Sequence, residues 1–168
     1  MPDVDSEPSA VPAGETIVFV CTGNTCRSPM AEALCKAALS KRLNCSVEDL
    51  IGRGYRILSA GVAAIEGDAA SEGAIDAVQA CGASLDGHRS RFLTADLVAE
   101  ADQLIAMTRG HLLAILTRYP AIGGTMRLLA GAAGDVDDPI GNSPDVYADC
   151  AATIQVCVER LSKELARR

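Results

Sequence analysis

Short apolar, β-branched runs alternate with helix-like segments along most of this chain, and that alternation limits the fold more than any other feature. Thr16-Ile17-Val18-Phe19-Val20, Arg56-Ile57-Leu58-Ser59, Gln103-Leu104-Ile105-Ala106-Met107 and Met126-Arg127-Leu128-Leu129 read as strands. Between them lie segments with helical periodicity. One opens at Ser28-Pro29, with Ser28 read as N-cap and Pro29 in the first turn. Others cover Ala69 to Ala80, ending at Cys81-Gly82, Thr94 to Glu100 with Thr94 as cap, and Gly110 to Arg118. The last helix runs from Pro144 to Ala166 and is expected to bury Val146, Cys150, Ile154, Cys157, Leu161 and Leu165. Strands separated by helices cannot pair as hairpins. They imply a parallel sheet covered on both faces, an α/β three-layer architecture.

The 168 residues suit one domain with a full core. We expect that domain over residues 16–168. Residues 1–15, rich in Pro, Ser, Asp, Glu and Ala, read as a disordered tail without the features of a secretory signal. With aromatics at 3 % and no Trp, the core must be built from Ala, Leu, Ile and Val. A net charge of -7 argues against a nucleic-acid partner, which calls for a basic face. No stretch reaches the roughly 18 apolar residues of a membrane span. The seven cysteines are odd in number and read as reduced thiols of a cytoplasmic protein. Neither close pair, Cys21/Cys26 or Cys150/Cys157, has zinc spacing, so no metal or other cofactor is expected.

In open parallel sheets ligands bind beyond the carboxyl ends of the strands. The loop Cys21-Thr22-Gly23-Asn24-Thr25-Cys26-Arg27-Ser28 falls there, between the first strand and a helix. Gly23 lets the loop curl, and a curled loop turns successive N–H groups inward as an anion nest. The following helix N-terminus adds partial positive charge, and Arg27 offers a planar fork for two phosphate oxygens. The same features stabilise a thiolate at Cys21, the form that attacks phosphorus. Ser28 can donate to that sulfur, and Asn24 can hold the loop's shape. A bare Cys-x5-Arg arises often by chance, but a strand before it and Cys-Arg-Ser-Pro before a helix make this instance specific.

The run Val20 to Glu32, together with Ser59-Ala60-Gly61, His88, Ala101-Asp102, Asp138-Pro139 and Gly141, resembles the low-molecular-weight protein-tyrosine-phosphatase family. The resemblance implies a four-stranded parallel sheet and two-step phosphoryl transfer on a phosphorylated protein, without a metal. It implies Cys21 as nucleophile, Arg27 as phosphate clamp and Asp138 as general acid. A carboxylic acid near the leaving group is also what the chemistry needs, and its carboxylate can later activate water. Asp135 and Asp137 share that loop, but only Asp138 precedes Pro139. A calcium loop is excluded because Pro139 takes a ligand position. Cys26 reads either as a small buried loop residue or, as the family pattern implies, as the redox partner that traps oxidised Cys21. Cys35, Cys81, Cys150 and Cys157 read as core residues, His88 as a structural hydrogen-bonding group, and Tyr147 as a packing or surface residue.

Two positions bear on the substrate. Thr25 stands where the family's tyrosine phosphatases usually carry an apolar residue, and the loop matches the family's arginine-phosphatase branch. Ile140 stands where an aromatic wall for a phenol ring is usual, and where arginine-phosphatase members commonly carry Phe. Asp137 and Asp138 can supply an acidic rim for a guanidinium. Phosphoarginine is therefore the expected substrate, with phosphotyrosine the alternative. An arsenate reductase would need a further cysteine pair, yet no Cys occurs between Cys81 and Cys150; an inactive phosphoprotein-binding module would be expected to have lost Cys21, Arg27 or Asp138. A monomer is expected.

Overall fold

The computed structural model describes residues 14–168. Most of the tail expected over 1–15 thus lies outside the described residues, while Glu15 already opens the first strand. Strands β1 (Glu15–Cys21), β2 (Tyr55–Gly61), β3 (Gln103–Ala106) and β4 (Thr125–Leu128) form one sheet in the order β2-β1-β3-β4. All three pairings are parallel. Five helices follow the expected alternation: α1 (Arg27–Leu43), α2 (Glu72–Ala80), α3 (Ala95–Glu100), α4 (Arg109–Arg118) and α5 (Pro144–Ala166). No helix among the described residues is long and apolar enough to cross a membrane.

β1 has a neighbour on each side and helices on both faces, so Ile17 to Val20 are fully buried. Successive side chains point to opposite faces. Ile17 and Phe19 join Met30, Leu39, Ile154, Leu161 and Leu165 from α1 and α5. Val18 and Val20 join Leu93, Leu97, Leu104 and Ile115 on the opposite face. Asp102 ties the start of β1 to β3: its backbone N–H donates to the Thr16 carbonyl at 2.8 Å, and its carboxylate accepts from the Thr16 N–H at 2.7 Å. From β1 the chain moves to β2 on one side, then returns to β3 on the other. The loops after β1 and β3 therefore diverge and leave a crevice at the carboxyl edge.

Three local expectations are corrected. Ser28 is not the N-cap of α1. The helix begins at Arg27, with Cys26 as N-cap and no side-chain capping bond, because the Ser28 hydroxyl is turned beneath the loop toward Cys21. Pro29 then falls at the third helical position, where the missing N–H costs no helical bond. α2 starts at Glu72, not Ala69, since Ser71 caps it by accepting from the Ala74 N–H at 3.3 Å. Val146 was expected on the buried face of α5 but is 39 % exposed. Tyr147, at 6 %, continues the stripe through Cys150, Ile154 and Leu161.

Candidate active site

The Cys21–Ser28 loop leaves the end of β1 and curls over the start of α1. One pocket of about 150 Å³ is lined by Cys21, Thr22, Gly23, Thr25, Cys26, Arg27, Asp138 and Ile140. Sequence reasoning named all eight. Asn24 and Ser28, the other two loop residues expected to serve the site, lie fully buried beneath it.

Asn24 organises the loop. It takes a left-handed backbone, φ 56°, a conformation that Asn tolerates better than most residues. Its amide donates to Ser28 Oγ and to Ser59 Oγ, both at 2.9 Å, and its Oδ1 accepts from the Arg91 N–H at 2.9 Å. Its backbone carbonyl accepts from His88 Nε2 at 2.8 Å, which fixes a proton on that ring nitrogen. His88 is thus the structural hydrogen-bonding residue expected, with Glu32 4.0 Å from its Nδ1.

With one lone pair of Ser28 Oγ taken by Asn24, the single Ser28 proton faces two acceptors. These are Cys21 Sγ at 2.9 Å and the Ala60 carbonyl at 3.3 Å. A thiolate at Cys21 would draw it, since hydrogen bonds to charged groups are stronger than neutral ones. β2 explains the Ser59-Ala60-Gly61 motif in the same terms. Ser59 receives the Asn24 amide, Ala60 receives Ser28, and Gly61 lies against the loop backbone. A Cβ at Gly61 would collide with the Thr22 carbonyl and approach Ala64 Cβ to 2.8 Å.

Arg27 is buried, with one guanidinium nitrogen donating to the Val136 carbonyl at 3.0 Å and the other 3.3 Å from Asp138 Oδ2. Asp138 is bound at its other oxygen by the Ile140 N–H at 3.1 Å, so the carboxylate is aimed and half-exposed at the pocket mouth. The three acids of this loop separate by task. Asp135 accepts from the Arg109 N–H at 2.8 Å and anchors the loop to the start of α4. Asp137 does not line the pocket; its carbonyl accepts from the Cys150 thiol at 3.7 Å. Only Asp138 faces Arg27 and Cys21.

Cys26 lies behind the loop, with Sγ 3.2 Å from Ser71 Oγ and 3.5 Å from Tyr147 Oη. Burial and the Cys26 contact push the Tyr147 hydroxyl pKa upward. Burial also pushes Cys35 and Cys150 up to about 12, which keeps both thiols protonated, as core residues would be.

Sequence reasoning missed His111. It lies in the first turn of α4, capped by Thr108 through its own N–H at 3.1 Å, and its Nε2 is 2.8 Å from Thr22 Oγ1. Burial, reinforced by the positive Arg27, lowers its pKa to about 4, so the ring is neutral near pH 7. The signal for it was positional. Thr108 is a capping residue directly after β3, and the first turn it starts faces the crevice.

This pocket can hold one anion against Arg27 and the loop, with the Cys21 sulfur and the Asp138 carboxyl group both on its lining. Comparison with known proteins agrees. Residues 16–168 match the low molecular weight phosphotyrosine protein phosphatase family. The protein-arginine-phosphatase of Bacillus subtilis is 35 % identical over 155 residues, 90 % of this chain and 97 % of that one. A solved YwlE arginine phosphatase, a cysteine-to-serine mutant with its active-site serine phosphorylated, superposes with a TM-score of 0.79. It is 34 % identical and is covered over 95 % of its length by 89 % of this chain. A low molecular weight protein tyrosine phosphatase from T. tengcongensis gives the same TM-score at 32 % identity, over 90 % of this chain and 99 % of that one. Likeness of this extent takes in the sheet, the helices and both loops of the pocket, and so the chain belongs to the low molecular weight phosphotyrosine protein phosphatase family and is a phosphatase.

Proposed function

We propose that this phosphatase hydrolyses phosphorylated protein side chains through a phosphocysteine at Cys21, and that its preferred substrate is phosphoarginine. The observation that carries the mechanism is the 2.9 Å contact between Cys21 Sγ and Ser28 Oγ at the floor of a pocket shared with Arg27 and Asp138. Arg27 exchanges Asp138 for the incoming phosphoryl oxygens, and the loop N–H groups hold the remainder. Cys21 Sγ attacks phosphorus and forms the S–P bond as the P–N bond of phosphoarginine breaks. Protonated Asp138 gives its proton to the departing guanidinium nitrogen. Water then attacks phosphocysteine, passes a proton to the Asp138 carboxylate, and the S–P bond breaks to release phosphate and the Cys21 thiolate.

For the substrate, the pocket lining supports the choice of phosphoarginine. It contains Thr25 and Ile140 and no aromatic side chain, so a phenol ring has nothing to stack on there. A guanidinium meets the half-exposed Asp138. Thr25 lines the cavity, and a hydroxyl there can orient the water that attacks phosphocysteine. The arginine-phosphatase names of close relatives support the same choice. The seven free cysteines fit a reducing cytoplasm, and we take the enzyme to act there as a monomer. The test is kcat/KM for phosphoarginine and phosphotyrosine peptides, in the wild type and in Thr25→Ile. Preference for phosphoarginine that moves toward phosphotyrosine in Thr25→Ile supports the assignment. A wild type that strongly prefers phosphotyrosine, or a ratio that Thr25→Ile leaves unchanged, removes phosphoarginine as the preferred substrate.

A further inference from the structure

We propose that His111 is a positioning residue of the phosphate site. Its neutral ring donates Nε2–H to Thr22 Oγ1, and this frees the Thr22 hydroxyl proton for an oxygen of the bound phosphoryl group. The inference rests on the assignment of the Cys21–Ser28 loop as the phosphate cradle.

Two facts of geometry carry it. Thr22 is exposed at the pocket lining, and its Oγ1 lies 2.8 Å from His111 Nε2. His111 itself is only 6 % exposed, and its Nδ1 is the one buried side-chain nitrogen or oxygen among the described residues that has no partner. The interior spends a polar group here on a single bond, and that bond goes to the rim of the pocket. Unpartnered buried polar groups are uncommon and costly, and those that persist are explained by what the group does.

The ring is also held rigidly. Thr108 pins its backbone at 3.1 Å, and one residue after that cap the Arg109 N–H binds Asp135 of the acid loop at 2.8 Å. The first turn of α4 thereby joins the rim of the cradle to the loop that carries Asp138. The charged groups near the ring are Arg27, Asp135 and Asp138; burial first, and then Arg27, keep it uncharged near neutral pH, outweighing the two carboxylates, which favour the charged form.

The tautomer decides what Thr22 can do. With the proton on Nδ1, Nε2 would accept the Thr22 hydroxyl proton, leaving a buried N–H without an acceptor and no Thr22 donor for phosphate. With the proton on Nε2, the ring donates to Thr22 Oγ1 and the hydroxyl proton remains available. A phosphoryl dianion favours the second arrangement because it accepts hydrogen bonds and donates none.

The experiment uses the full chain with inorganic phosphate as the probe. Affinity is measured by calorimetry for the wild type, His111→Gln, His111→Leu, Thr22→Val and the double variant Thr22→Val/His111→Leu, with melting temperature as a check on folding. Gln keeps an N–H donor near the position of Nε2, and Leu keeps bulk alone. We expect His111→Leu to weaken phosphate binding by about five- to tenfold, the scale of one hydrogen bond. His111→Gln should recover most of that loss, and His111→Leu should add less than about twofold once Thr22 is Val. The chain has two histidines, so long-range proton–nitrogen spectra, assigned by the signal lost in His111→Gln, should show His111 as the neutral Nε2–H form. Equal losses in Gln and Leu, additive effects with Thr22→Val, or a proton on Nδ1 would each overturn the inference. A wild type without phosphate affinity would overturn it together with the cradle assignment. Unchanged affinity in His111→Leu would overturn it alone.

Discussion

Removing Asp138 should move chemistry and phosphate binding in opposite directions. Asp138 Oδ2 sits 3.3 Å from Arg27, so in the free enzyme the carboxylate competes with phosphate for that guanidinium. The Asp138 side chain is 43 % exposed, which places the pair among partly solvated ion pairs. Such pairs are worth about 0.2–1 kcal/mol. Breaking it in advance should therefore leave inorganic phosphate binding unchanged or strengthen it by up to about fivefold. The same substitution removes the proton donor, an effect of about 10²–10⁴-fold on kcat when the leaving group is poor. An activated aryl phosphate, which departs with little protonation, should lose far less in the step that forms phosphocysteine, read as kcat/KM. Phosphoarginine should also show a raised KM, because its guanidinium loses a hydrogen-bond acceptor at the pocket mouth. The assay is kcat and KM for phosphoarginine, phosphotyrosine and an activated aryl phosphate, with inorganic phosphate as competitive inhibitor. Equal kcat/KM losses on all three substrates would refute the acid role. A larger loss in Asp137→Ala would move that role by one residue, and weaker phosphate inhibition in Asp138→Ala would refute the competition for Arg27.

Other perturbations follow from the same contacts. Peroxide should inactivate the enzyme reversibly with a Cys21–Cys26 disulfide visible by mass spectrometry, and Cys26→Ser should recover less with thiol; equal recovery would leave Cys26 a purely structural neighbour of Ser71 and Tyr147. Gly61→Ala should destabilise by about 1–3 kcal/mol and lower activity, because its Cβ meets the Thr22 carbonyl and Ala64; denaturant midpoints and kcat read both. For His111, the folded pKa of about 4 lies below the unfolded value of about 6.5, so the unfolded chain binds the extra proton between them. Its contribution to stability is present above about pH 6.5 and is lost as pH falls toward 4. Urea midpoints across that window should fall less steeply in His111→Gln, and an unaltered slope would count against a buried neutral ring.

The parallel sheet was legible because strand signals and helix signals alternate without ambiguity from Thr16 to Leu129. The loop was legible because it sits where a strand hands over to a helix, with Gly23 and Arg27 at spacings that phosphate binding requires. Ser28 was harder. A serine before a proline reads as a cap, yet the helix had already begun and the hydroxyl was turned to the sulfur, a tertiary contact that local propensity does not encode. Val146 and Tyr147 differ by one position on the helical wheel. The choice between them was made by the space behind Cys26, into which the Tyr147 hydroxyl fits. His111 left no motif of its own: its importance comes from β3 lying beside β1, which brings the first turn of α4 against Thr22.

The central claim is a covalent phosphoenzyme on Cys21. The direct measurement is rapid-quench mass spectrometry of wild type and Asp138→Ala during turnover of phosphoarginine and an activated aryl phosphate, with the modified residue located by fragmentation. Both substrates should leave one phosphoryl group on Cys21, accumulating more in Asp138→Ala with the aryl substrate, because phosphocysteine forms readily there and lacks the base that hydrolyses it. Cys21→Ser should keep its fold and lose turnover. Turnover with no phosphoryl group on Cys21 at any quench time, or substantial residual activity in Cys21→Ser, would contradict the mechanism.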